Sequence, residues 1–161
     1  MHKEFGKYND VDPSAKIGNG TRLSGWTFIG KNVKIGKNCV IGNHCEINSG
    51  VQIGDGTLLN SFCYLSSDTI VGDHCIFGVH TSTADEKYMT PDTKKITKQR
   101  CTIGNHCKIG GHAILVACTI GNWVSIGSGA VVLEPKIKPK EVWAGVPARK
   151  IRDIKPFEME L

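Results

Sequence analysis

The chain has 161 residues, 40% of them hydrophobic and 22% charged, which excludes a disordered or fibrous protein and fits one domain spanning 1–161. No apolar run approaches the ~20 residues of a membrane span, and the start MHKEFGKYND lacks the apolar stretch of a signal peptide. A cytoplasmic protein with no membrane partner is expected. The net charge of +5 is modest, and no motif or aromatic interleaving of a nucleic-acid binder accompanies it, so a nucleic-acid partner is not expected.

From Val11 onward an aliphatic residue or Phe recurs every sixth position: Val11, Ile17, Leu23, Ile29, Ile35, Ile41, Ile47, Ile53, Leu59, Leu65, Val71 and Phe77. The beat resumes at Ile103, Ile109 and Leu115, shortens once by a residue, and continues at Ile120, Ile126 and Val132. A helix repeats near 3.6 and an ordinary strand at 2, so neither produces a strict six. Hexapeptide periodicity predicts an all-β parallel β-helix, with three hexads closing each triangular coil. Neighbouring coils then pair as strands ~4.8 Å apart. Six coils are expected over about 11–134.

Two residues before each hexad aliphatic stands a small or β-branched residue, and all seven cysteines occupy this slot: Cys39, Cys45, Cys63, Cys75, Cys101, Cys107 and Cys118. Elsewhere it holds residues such as Thr21, Val33, Thr57, Ala113 and Ala130. No Cys-x-x-Cys pair occurs. The cysteines are therefore read as reduced, compact core groups of a reducing compartment, not as ligands or disulfides.

Three residues after each hexad aliphatic lies a corner position. One column of corners reads Trp26, His44, Phe62 and His80, an aromatic ladder expected to end where the irregular segment begins. The next reads Gly20, Asn38, Gly56, His74, His112 and Gly129, which makes His74 and His112 adjacent rungs; the third carries Ser14, Asn32, Gly50, Asp68, His106 and Trp123. His44 and His106 are expected at the surface or an interface, and His2 in a disordered start.

The segment at about 82–101, rich in Lys and Thr and containing Pro91, has no hexad register and is predicted to be extruded as a loop. After Val132 the chain is expected to leave the coil through Pro135 and Pro139 into a tail, 135–161, ending in a short helix. Lys94, Lys95, Lys98 and Arg100 crowd the loop, and Lys136, Lys138, Lys140, Arg149, Lys150, Arg152 and Lys155 crowd the tail. Clusters of this size suit the phosphates of a small cofactor.

The hexads, the single loop and the ending IGSGAVV…AGVPARKI together resemble the left-handed β-helix acyltransferases over residues 11–155. The likeness is to small acetyltransferases of sugar hydroxyls and to those that acylate nucleotide-linked amino sugars. The resemblance implies a homotrimer with active sites between prisms, acetyl-CoA as acyl donor, and no metal cofactor. It implies pantetheine along a coil edge, near Gly111, Ser128 and Gly145, with Arg149 and Lys150 meeting the adenosine phosphates. His80 stands near where the hydroxyl-acetylating members carry a catalytic His. Thr83-Ala84-Asp85 keeps the ends of a run found in the amino-sugar members, so the acceptor stays open between oxygen and nitrogen. Leu133-Glu134 stands where many members have Thr-Lys.

The run IGGHAILVACTIG also resembles the zinc carbonic anhydrases of the same fold. At the two metal-binding positions of that run stand Gly111 and Val116, leaving only His80 of three ligands, and a catalytic zinc needs three. A non-catalytic prism acting as a binding scaffold is the other alternative. For the enzyme reading, His80 is the candidate general base, because a hydroxyl attacking a thioester must shed its proton. Asp85 and Tyr88 in the loop, with Phe62 on the ladder, are the candidate acceptor-binding residues.

Overall fold

Most hexads bend because the corner residue sits in the left-handed region of backbone space. Trp26, His44, Phe62, His80, His106, His112 and Trp123 have φ between 55° and 63°. Side chains rarely adopt this conformation, and Asn, Asp and His tolerate it best among residues with a Cβ. The turn leaves room for only two residues of strand, such as Lys34–Ile35 and Ile76–Phe77, with the first residue facing out and the second in.

The computed structural model describes residues 8–88, 91–92, 94 and 97–159; His2 lies outside them. The short strands stack into three faces of a triangular prism, each of seven parallel strands, with one antiparallel strand added to the third, and the hexads thus build a left-handed parallel β-helix. The first face begins at Asp10–Val11, the second at Lys16–Ile17 and the third at Arg22–Leu23. In the ladder each coil donates N–H groups to carbonyls of the following coil, as in Lys16 to Val33 and Arg22 to Cys39, both 2.9 Å. The core is one continuous column of hexad residues, with Phe77 its largest fully buried side chain.

The prism has seven coils rather than six, for two reasons. Thr83 stands six residues after Phe77 and faces inward, 2% exposed, so Ser82–Ala84 is the first-face strand of a fifth coil. A search for aliphatic residues passes over it. At the other end Pro135 does not release the chain. Lys136–Ile137 pairs with Thr119–Ile120, Ile137 is buried, and Glu141–Gly145 pairs with Ser125–Ile126. Only then does the chain reverse, into the antiparallel strand Ala148–Asp153, and it ends in a short 3-10 helix at Pro156–Met159.

The missing hexad shifts the phase of every coil above it. The loop therefore leaves after Ala84, between the first and second faces, and the strand Thr102–Ile103 resumes the second face. His80 lies between the third and first faces, so the loop does not leave at His80. Among the described residues no helix is long and apolar enough to cross a membrane.

Candidate active site

Three edges of the prism carry distinct chemistry. On the corner between the third and first faces, rings stack from Tyr8 through Trp26, His44, Phe62 and His80 to His112. Phe62 and His80 are 4.7 Å apart with planes 3° from parallel, and His80 and His112 are 4.8 Å apart at 16°. The ladder thus continues one rung past His80. On the corner between the second and third faces, His74 stacks on His106 at 5.3 Å and His106 on Trp123 at 4.2 Å. The expected His74–His112 contact is corrected: with Thr83 counted as a hexad residue, His112 falls above His80 and His106 above His74.

His112 thus stands on the His80 edge and not beside His74. It follows the Gly110-Gly111 turn, and its amide donates to Val79 at 2.8 Å, fixing it beside the His80 turn. Both imidazoles are exposed. Stacked rings direct their nitrogen lone pairs outward in parallel planes, so the pair does not converge on one ion. Among the described residues no group of three His, Cys, Asp or Glu side chains is placed to hold a metal.

Above His112 the same corner loses its side chains. The Gly129 amide donates to Gly111 at 2.8 Å, placing Ser128-Gly129 directly over Gly110-Gly111. Gly129 has φ of 69°, and a Cβ built there would meet nothing within 4 Å. Gly145, with φ of 98°, ends the last strand of the third face beside the cis Val146–Pro147 bond. His80, Gly111, Ser128 and Gly145 therefore lie along one open edge of exposed backbone, ending at the basic strand that carries Arg149 and Lys150.

The two cations of that strand differ. The Arg149 guanidinium donates to the Ala148 carbonyl at 2.9 Å. Lys150 is paired with Asp153 at 2.7 Å and with Glu141 at 2.9 Å, contacts that hold its ammonium above the usual lysine range. Burial pushes the Glu141 carboxyl up, but hydrogen bonds from Lys150 and from the Trp143 indole hold it below the usual range.

Asp85 and Tyr88 stand on the remaining corner. Asp85 pairs with Lys98 at 3.3 Å, and its carbonyl accepts from the Gln99 amide at 2.7 Å, closing the neck of the loop. Tyr88 is exposed and, with Lys87, Thr97, Gln99 and Ala117, lines a cavity of about 290 Å³. His80 and Asp85 are five residues apart along the first face, ~16 Å at the rise of a strand. Within one chain the loop residues and His80 are on different edges.

A model of the bacterial transferase hexapeptide (six repeats) matches residues 14–49. The chain is a hexapeptide-repeat β-helix. Its fold is shared by an acetyltransferase with hexapeptide repeats from Vibrio cholerae, solved with acetyl-coenzyme A (TM-score 0.64, 20% identity, 87% of this chain and 71% of that one). It is shared too by a maltose O-acetyltransferase from Clostridium difficile (TM-score 0.61, 21% identity, 94% and 71%). An N-acyltransferase from Bacillus cereus, solved with dTDP and coenzyme A, is similar at a TM-score of 0.55 (20% identity, 94% and 84%). No curated protein matches this hexapeptide-repeat chain in sequence at a significant level.

Proposed function

We propose that this β-helix is an acyl-CoA-dependent acyltransferase of the cytoplasm, moving an acetyl group from acetyl-CoA to a hydroxyl or amino group of a sugar or nucleotide-linked sugar. The observation that carries the reading is the edge on which His80 and His112 meet the bare turns of Gly111, Ser128 and Gly145. The fold's likeness to an acetyltransferase solved with acetyl-CoA and to an N-acyltransferase solved with CoA supports it. Pantetheine is thin and needs backbone partners along its length, which a corner of glycines with only the small Ser128 among them offers. Arg149, at the far end, is the candidate for a cofactor phosphate; Lys150 has two carboxylates to leave before it can serve.

In the reaction the acceptor oxygen or nitrogen attacks the thioester carbonyl while neutral His80 accepts its proton. The Gly110 N–H is committed to the Ile126 carbonyl at 2.8 Å, so the Gly111 N–H is the donor of this turn that stabilises the oxyanion. The C–S bond then breaks, and the imidazolium returns the proton to the departing thiolate. Phe62 is stacked between His44 and His80, so it offers a sugar the exposed edge of its ring rather than a face.

The assembly is a homotrimer in this reading. Phe28, Tyr64 and Ile114 on the first face and Ile76 and Val79 beside the third flank the aromatic corner, and all are exposed. Closed cyclic symmetry would bury this strip equally in every copy. It would also bring the Asp85–Tyr88 loop of one copy toward the His80 edge of the next. Thiol release from acetyl-CoA across a panel of amino sugars, sugars and their nucleotide-linked forms tests the proposal. Turnover of at least one acceptor is expected; acceptor-independent background throughout would leave the scaffold reading.

A further inference from the structure

Thr83 occupies an inward hexad slot that the earlier coils fill with aliphatic residues or Phe. On the first face the residue after the hexad aliphatic donates its N–H to the hexad carbonyl of the next coil: Asp12 to Ile29 at 2.9 Å, Gly30 to Ile47 at 2.8 Å, Asn48 to Leu65 at 3.1 Å. At the next step the Ser66 amide donates instead to the side-chain hydroxyl of Thr83, at 2.8 Å. The strand pairing shows the same break. Tyr64–Leu65 and Ser82–Ala84 are in register only at Tyr64 and Ser82, whereas all three residues of Ser82–Ala84 pair with Ile114–Val116 above.

The hydroxyl is held in a buried cluster. Thr83 Oγ1 lies 3.0 Å from Ser66 Oγ and 3.2 Å from Thr69 Oγ1, and those two are 3.2 Å apart. All three residues are at most 2% exposed. A valine of the same shape would bury more comfortably, but it would leave the Ser66 N–H without a partner. The loop leaves immediately afterwards. Its neck is closed by the Ala117 amide on the Ala84 carbonyl at 2.8 Å and the Gln99 amide on Asp85 at 2.7 Å.

We propose that Thr83 is a positioning residue: its buried hydroxyl replaces a missing ladder bond so that the chain can diverge at one fixed point. It thereby sets the loop neck, with Asp85 and Lys98, in the place from which it serves acceptor binding. The kinetic half of this proposal rests on the acyltransferase reading; the structural half does not. The test compares Thr83→Val, Thr83→Ser and Thr69→Val in the full chain by tryptic cleavage after Lys87, Lys98 and Arg100, well below the melting temperature. Thr83→Val should be cut about fivefold faster or more than wild type, while Thr83→Ser and Thr69→Val stay within about twofold. In turnover assays Thr83→Val should raise the acceptor KM severalfold and leave the acetyl-CoA KM unchanged.

Loop cleavage of Thr83→Val within twofold of wild type, or Thr83→Ser cut as fast as Thr83→Val, overturns the assignment. Should Thr83→Val fail to fold, amide exchange at Ser66 in the wild type decides: strong protection is expected, and exchange at the rate of an open amide refutes it. A wild type that turns over no acceptor would sink the acyltransferase reading but leave the cleavage result standing.

Discussion

Along one column of the core, Thr21, Cys39, Thr57 and Cys75, threonine and cysteine alternate because both can donate to the equivalent carbonyl. The Thr21 hydroxyl donates to Gly36 at 2.7 Å and the Thr57 hydroxyl to Gly72 at 2.9 Å; one coil on from each, Cys39 and Cys75 reach Gly54 and Gly104 at 3.1 and 3.0 Å. The small slot is thus a polarised donor site as well as a space to fill, a role that the cysteines' spacing alone did not disclose. Burial pushes the Cys39 thiol up. Cys63, Cys75 and Cys118 are pushed up by the sulfur of a neighbouring cysteine first and by burial second. Their partners Cys45, Cys107 and Cys101 are held down by the same sulfur contacts, so the inertness of all seven rests on burial, each being at most 1% exposed. A thiol reagent should label the native protein slowly and reach all seven cysteines only after denaturation. Rapid native labelling of several would contradict the packing. Aromatic residues at the corners follow another logic: a bulky side chain at positive φ is strained by roughly 1–3 kcal/mol, which stacking and partner contacts must offset.

At the scale of elements, the hexad strands and their order were legible because inward residues are aliphatic at a fixed spacing. The reading failed where the fold keeps the geometry but changes the chemistry. Thr83 holds a hexad position with a hydroxyl, and that one omission lost a coil and moved His112 to the wrong edge. The C-terminal hairpin was missed because Pro135 and Pro139 look like exits, although Pro135 still supplies its carbonyl to the Thr119 amide at 2.9 Å. That hairpin depends on Glu141, which joins Trp143 in its own strand to Lys150 in the other. Its carboxyl is held below the usual range, so its stabilisation is fully present above the unfolded pKa of about 4.3 and is lost as pH falls through the lower folded value. Lys150 is partly exposed, so the pair is discounted for solvent screening. Glu141→Gln should cost about 1 kcal/mol at pH 7, read as a lower Tm, and the gap to wild type should narrow as the pH is taken down to 3. An equal gap at both pH values would refute the charged contact.

For the whole molecule, the three corners carry different groups: one the His80–His112 pair of the proposed site, one the loop, one the His74–His106–Trp123 stack. The proposal requires copies to meet so that a loop and a His80 edge share one site. Light scattering should give three times the 17.5 kDa chain mass, and Tyr64→Glu, which places a charge in the apolar strip, should shift the protein toward monomer with loss of turnover. A stable wild-type monomer at micromolar concentration would remove the shared site. The central claim, that acyl transfer occurs at the His80 edge, is tested most directly by turnover of the best acceptor by His80→Ala beside wild type, with acetyl-CoA binding measured in both. The account predicts unchanged binding and a fall in kcat of about a hundredfold or more, the usual scale of general-base catalysis. Unchanged kcat in His80→Ala would contradict it.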